Sequence, residues 1–318
     1  MDAKRAKKIG SPPIRGNEEA DRLAGEGATK PAPTTPQPLE FPEHPAMSGA
    51  SIAKLEQRDF YKIIRDKRHI PVRTRTERNI GIIQACAKDT FDFAPTPEAV
   101  WKATKHKDLS RKTRDFIWKS TQNAYKIGEY WYPIEGFEER GTCPLCKEQE
   151  DMDHILTRCS AHARSTAWEL AGNLWKNRSG DPLPSRLGDI VGCGLANFKK
   201  NGRPDKGKNR LYRILVSETA FLIWKMRNER RIRDGDDTTA GSEEETMKRW
   251  THAINKRLTI DRALTDAKRF GKRSLDSKLV KATWRGCLEN ETDLPDDWYN
   301  LRGVLVGILQ PRPPGRGR

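Results

Sequence analysis

Residues 142–159 read Thr142-Cys-Pro-Leu-Cys-Lys-Glu-Gln-Glu-Asp-Met-Asp-His-Ile-Leu-Thr-Arg-Cys159. Four soft or borderline ligands, Cys143, Cys146, His154 and Cys159, fall within seventeen residues in the spacing C-x2-C-x7-H-x4-C. That set can close a tetrahedral zinc site without the rest of the chain. The CxxC pair chelates from one side of a tight turn that Pro144 stiffens, and the five-residue step from His154 to Cys159 suits a short helical turn and the residue after it. With all four positions filled by protein no place remains for a water nucleophile, so the zinc expected here is structural. The plain alternative is buried free cysteines, a chance CxxC pair and a surface histidine. A redox CxxC fits less well, because no strand precedes it and the neighbouring His and Cys would go unused. His162 is an alternative ligand to His154, which lies between the two cysteine elements.

The chain has 318 residues, room for one large or two small domains, and its 35% hydrophobic content suffices for a core. Lys+Arg number 60 against 44 Asp+Glu, a formal charge of +16 that favours a polyanionic partner such as nucleic acid. Cys86, Cys193 and Cys287 stand isolated, the chain opens Met-Asp-Ala-Lys-Arg with no apolar signal segment, and no run is long enough to cross a bilayer. The expectation is a reduced, intracellular protein of nucleus or cytoplasm, not secreted and without a membrane partner. No Ser-His-Asp arrangement, phosphate-cradling glycine loop or HExxH motif occurs.

Outward from the knuckle the pattern is helical. Upstream, residues 30–50 form a linker with six prolines between 30 and 47. The region 51–141 carries helical spacing at Ile52, Leu55, Tyr61 and Ile64, and again at Ile80, Ile83 and Ala87. Thr96-Pro97 marks a capped helix start. In the stretch 106–119, Leu109, Thr113, Phe116 and Ile117 form an apolar face. Lys102, Lys105, Lys107, Arg111, Lys112, Arg114 and Lys119 crowd the connecting turn and the polar side, interleaved with Trp101 and Trp118. This is the candidate phosphate contact, against the alternative of a solvated face over core tryptophans.

Downstream, 142–178 is the zinc knuckle with a helix from Ala163 packed on it, and 179–310 is a helical bundle. A turn-rich stretch with a short helix over 181–194 and a polar loop over 199–208 precede the longest apolar pattern, Leu211 to Trp224. That helix runs out into Arg227, Arg230, Arg231 and Arg233, a basic end that the helix dipole favours without any ligand. Ser242-Glu-Glu-Glu245 is a capping box opening a helix through Trp250, Ile254 and Leu258. Lys278 to Leu288 adds a last helix, and 311–318 is a basic tail.

Two stretches resemble known families. Gly16-Asn17-Glu18-Glu19-Ala20-Asp21-Arg22-Leu23-Ala24 resembles the last helix of a type 1 ribonuclease H domain, so 1–29 reads as a remnant of that domain. The resemblance implies that Asp21 occupies the position of one of four carboxylates that hold two magnesium ions for cleavage of RNA in RNA–DNA hybrids. The other three belong to segments that would precede Met1, which makes Asp21 vestigial and Mg2+ a cofactor only of a completed site. Arg111-Lys-Thr-Arg-Asp-Phe-Ile-Trp-Lys, Tyr130-Trp131, Glu138-Glu-Arg and the Cys/His pattern resemble the zinc-binding region that follows reverse transcriptase and ribonuclease H in non-LTR retroelements, particularly fungal ones.

The expected fold is therefore mainly α, a helical bundle with a small zinc knuckle, preceded by a detached remnant helix of a ribonuclease H-like domain. The expected function is that of a retroelement-derived, zinc-stabilised module that binds RNA, DNA or hybrid without catalysis of its own. Alternatives are an RNA–DNA hybrid ribonuclease completed by upstream or partner sequence, and a helical scaffold for protein partners.

Overall fold

The computed structural model describes residues 15–31, 56–67, 73–232 and 241–307. Ile52, Leu55, Arg233, the tail 311–318 and most of the Pro-rich linker lie outside the described residues. The chain divides into two units, Met1–Ile70 and Pro71–Arg318.

The first unit contains α1 (Arg15–Thr29) and α2 (Gln57–Lys67). Asp21 and Leu23 of α1 are both exposed, and Arg22 is ion-paired to Glu26 one turn on. α2 buries no residue, and its Tyr61 and Ile64 face solvent.

The second unit is helical, as the sequence periodicity predicts. α3 (Thr74–Phe91) ends where Asp92 turns left-handed at φ 55° and its N–H closes on the Lys88 carbonyl. α4 (Pro97–Ala103) starts as expected, with the Thr96 hydroxyl accepting the Ala99 N–H and Pro97 in the first turn. α5 (Arg111–Thr121) begins later than the basic pattern from His106 implies, because Ser110 takes the cap by accepting the Thr113 N–H. Residues 106–109 form a turn onto which the Arg114 guanidinium folds, donating to the carbonyls of His106, Lys107 and Leu109.

α6 (His162–Ser179) stops at Gly180, whose φ of 79° suits a residue without Cβ. After the short α7 (Leu187–Val191), the expected polar loop contains a two-stranded antiparallel ribbon, β1 (Lys199–Lys200) and β2 (Arg203–Pro204), with Lys200 opposite Arg203. Asn201 and Gly202 at its tip both take positive φ, as a two-residue hairpin turn requires. α8 runs Lys206–Ile232, longer at both ends than its apolar core, followed by α9 (Glu243–Ala263), α10 (Ala267–Phe270) and α11 (Ser277–Trp284). Half of the predicted capping box forms at α9: Ser242 accepts the Glu245 N–H, but the Glu245 carboxylate takes the Gly241 N–H instead.

α8 is the axis of this unit, packed against α6, α9 and α11. Its Leu211, Tyr212, Ile214 and Leu215 are fully buried among Trp175 of α6, Trp250 of α9 and Trp284 of α11. Phe91, Phe198, Tyr212 and Trp175 meet ring to ring at centroid distances of 5.0 to 5.9 Å, with largely edge-on geometry. Charge is buried here too. Arg210 of α8 binds both oxygens of Asp261, which also accepts the Trp284 indole N–H at 2.9 Å, and Asp108 bridges Arg210 and Arg213 at 3.3 and 3.2 Å.

Candidate metal centre

The knuckle is a hairpin followed by one wide helical turn. Thr142 and Gln149 form an antiparallel bridge, the Cys143 N–H donates to the Glu148 carbonyl at 2.8 Å, and the Lys147 N–H returns to the Cys143 carbonyl at 2.9 Å. Lys147 holds φ 60°, so the chain doubles back directly after the second thiol. The Asp151 carboxylate then accepts the His154 N–H at 2.6 Å, opening a π-helical turn over His154–Arg158. The Cys159 N–H closes that turn on the His154 carbonyl at 2.7 Å. An i to i+5 hydrogen bond places residues five apart side by side, which answers the spacing that an ordinary α-turn would rotate apart.

The four ligand atoms lie within 4.8 Å of one another. Cys143 Sγ is 3.8 Å from Cys159 Sγ, and Cys146 Sγ is 3.3 Å from His154 Nε2. Zinc–sulfur bonds of about 2.3 Å and zinc–nitrogen bonds of about 2.0 Å at tetrahedral angles give edges of about 3.8 Å and 3.5 Å. The two measured edges therefore fit a metal-sized tetrahedron. Cys143, His154 and Cys159 are buried and Cys146 is half-buried, so the arrangement is closed on its protein side. His162, the alternative ligand, is exposed at the start of α6 and lies outside this group.

The electrostatics suit a cation. His154 Nδ1 is 3.1 Å from the Glu148 carboxylate, which fixes the ring with Nε2 turned toward the thiols. Arg158 steadies that carboxylate at 3.1 Å and also holds Asp153 and Asp151. Burial pushes the Cys159 thiol up to about 11, with the Cys143 thiol beside it adding to the effect. Burial raises the Cys146 thiol as well, but the Glu148 N–H and the Cys143 thiol outweigh it and bring its pKa below the usual thiol value. Three thiols and an imidazole packed this closely could hold a metal ion through thiolates, and the donor set is one that zinc takes in structural sites.

The end of α8 anchors the knuckle. Glu150, only 1% exposed, accepts from Arg227 Nε at 3.1 Å and from Arg227 Nη2, with Arg231 Nη2 3.3 Å away. Arg231 also donates to the carbonyls of Arg140 and Thr142 at 2.7 and 2.8 Å. Gly128, at φ 55°, lies against the Glu150 carbonyl so closely that a Cβ would overlap it. On the far side, Arg164 binds the Cys159 and Thr157 carbonyls, and the Trp168 indole N–H donates to the Leu156 carbonyl at 2.8 Å.

The remaining sequence candidates divide. Lys102, Lys105, Lys107, Arg111 and Lys112 are exposed, but Arg114 is spent on backbone carbonyls and Lys119 is paired with Asp115 at 2.9 Å. Trp101 is half-buried and Trp118 is 38% exposed. Asp21 belongs to no cluster of metal-ligating side chains among the described residues. Sequence reasoning passed over Glu148 and Arg158, whose signal was the acidic run Glu148-Gln-Glu-Asp-Met-Asp153 beside a ligand histidine. Glu150 lies in the same run, but its arginine partners are 77 and 81 residues away and nothing local pointed to them. Comparison with family models, with curated proteins and with solved structures gives no match. No helix among the described residues is long and apolar enough to cross a membrane.

Proposed function

We propose that the chain is a retroelement-derived module in which a structural zinc ion holds the 142–159 knuckle and the basic surface binds nucleic acid. The observation that carries the reading is the closed set of Cys143, Cys146, His154 and Cys159, with ligand atoms within 4.8 Å of one another and the Glu148 carboxylate on the imidazole. Bound there, zinc would cross-link the hairpin to the π turn and supply folding energy, with no coordination position left for chemistry. The excess of cations then has an electrostatic use, attraction of phosphates. Asp21 is exposed and belongs to no group of metal-ligating side chains among the described residues, and this reading assigns it no catalysis.

Metal analysis and nucleic-acid binding test it together. The purified chain should carry about one zinc ion and lose it in Cys143→Ser, as a closed four-ligand site requires. It should bind oligonucleotides with an affinity that falls steeply with salt. A zinc-free protein in which Cys143→Ser behaves like wild type removes the first half, and absence of binding at low salt removes the second. Magnesium-dependent cleavage of an RNA–DNA hybrid that disappears in Asp21→Asn would replace the reading with the ribonuclease alternative.

A further inference from the structure

Nucleic-acid binding needs a surface, and three open clefts of the second unit differ sharply in charge. The cleft between α3, the knuckle and α7, of about 510 Å3, has four arginines matched by four carboxylates in its lining. Three of those arginines, Arg75, Arg158 and Arg186, are already ion-paired. The cleft over Leu183 and Arg186, of about 580 Å3, has two of each sign. The third, of about 670 Å3, is formed by the β1–β2 ribbon, the start of α8 and the ends of α6 and α11. Its lining contains five cations, Arg178, Lys200, Arg203, Lys206 and Arg285, against a single carboxylate, Asp205.

That carboxylate is used up: Asp205 pairs with Arg178 at 3.1 Å and caps α8 by accepting the Lys208 N–H at 2.8 Å. Lys200, Arg203, Lys206 and Arg285 are exposed and have no ion pair or side-chain hydrogen bond among the described residues. The walls are fixed. Gly207 packs so closely on the Ala282 carbonyl that a Cβ would overlap it, and Asn209 of α8 bonds both the N–H and the carbonyl of Phe198 at the root of the ribbon. The positive end of a 27-residue helix opens into the same cleft. Four unneutralised cations on a rigid frame repel one another unless an anion joins them. The aromatic ridge at Tyr130, Tyr132 and Phe137 makes a poorer phosphate site, since Glu129, Glu135, Glu138 and Glu139 border it.

We infer that this cleft is the phosphodiester-backbone site of the chain: Lys200 and Arg203 on the ribbon, Lys206 at the start of α8 and Arg285 after α11 grip the phosphates of a nucleic-acid strand. The inference rests on the nucleic-acid reading above and locates its surface. No aromatic residue lines the cleft, so bases are not stacked there and recognition is of the backbone, independent of sequence.

The test measures association of the zinc-loaded full chain with single-stranded and duplex oligonucleotides, as RNA and as DNA, across a salt series. Wild type is compared with Lys200→Gln/Arg203→Gln/Lys206→Gln and with the control Lys102→Gln/Lys105→Gln/Lys107→Gln. All six positions are exposed, so both variants should fold, and circular dichroism checks this. The ribbon variant should lose on the order of tenfold in affinity per contact at 0.1 M salt, and its log–log salt slope should fall by about three. The control should change far less. Wild-type binding that the ribbon variant retains with an unchanged slope overturns the inference and leaves the nucleic-acid reading standing. No wild-type binding at low salt overturns both. Polyglutamate bound as tightly as nucleic acid would assign the cleft to an acidic protein instead.

Discussion

The knuckle and the bundle hold themselves together by opposite means. The bundle around α8 buries Trp175, Tyr212, Trp250 and Trp284 in one continuous apolar core, with Arg210 and Asp261 ion-paired inside it. The side chains buried at the metal site make only a small separate cluster, Cys143, Cys159 and Ala161. Around the candidate ligand set the knuckle is held by a short hairpin, a charged clasp to Arg227 and Arg231, and Met152, Ile155 and Leu156 seated in the bundle core. Apolar area gives a region stability without any partner; coordination gives it only while the ion is present. On the zinc reading the hairpin is the conditional part, joined to the bundle at Glu150, through the α6 bonds of Arg164 and Trp168, and by Met152, Ile155 and Leu156 in the common core.

The largest effect expected is from removing the ion. Structural zinc contributes on the order of 10 kcal/mol to small coordinated motifs at neutral pH. Chelation should therefore abolish hydrogen-exchange protection over 141–159 while the middle of α8 keeps its own. Simultaneous loss across α8 would show that the two regions are one cooperative unit and end the contrast. Next in size is Arg210→Met. Burial alone would lower the Arg210 guanidinium, but Asp261 and Asp108 hold its pKa above the usual value, so the three groups stand as a charged set. Removing the arginine strands Asp261, 1% exposed, and should cost about 3–5 kcal/mol in urea unfolding of the bundle. Zinc stoichiometry of the folded protein should not change.

The joint itself comes third. Glu150→Gln keeps an acceptor for Arg227 but removes the charge, and Arg231 retains two carbonyls. The expected cost is about 2 kcal/mol, below that of a fully stranded buried ion. Hydrogen exchange should rise first in the knuckle. An equal rise throughout the bundle would mean that Glu150 belongs to the core and not to the clasp.

How far each region was legible follows from the same contrast. The ligand set could be read because coordination demands residue types at short spacing, and all four ligands lie within seventeen residues. The α8 and α9 cores could be read because Leu211, Ile214 and Leu215, and Trp250, Ile254 and Leu258, repeat at helical period. What stayed hidden depends on distant pairing. Arg227 and Arg231 looked like a basic helix end because nothing near them in sequence pointed to Glu150. Arg114 looked like a phosphate contact because a guanidinium folded onto three carbonyls of its own turn leaves no pattern. The ribbon at Lys199–Pro204 read as a loop because two-residue strands have no periodicity to detect.

The smallest effect bears most directly on whether the knuckle is a metal site at all. The Glu148 side chain is half exposed, and its ion pairs among the described residues are with His154 and Arg158. If it serves merely as a surface ion pair, Glu148→Gln should change nothing beyond about 1 kcal/mol of stability. If it orients a ligand imidazole, the change should appear in zinc affinity, about 10–100-fold weaker in competition with a chromophoric chelator, with urea unfolding of the bundle unaltered. Arg158→Gln supplies the control, since it frees the Glu148 carboxylate without touching the imidazole and should weaken zinc less. Equal loss in the two variants would assign the effect to the charge around the knuckle. Loss confined to Glu148→Gln would assign it to the hydrogen bond that aims Nε2 at the thiols.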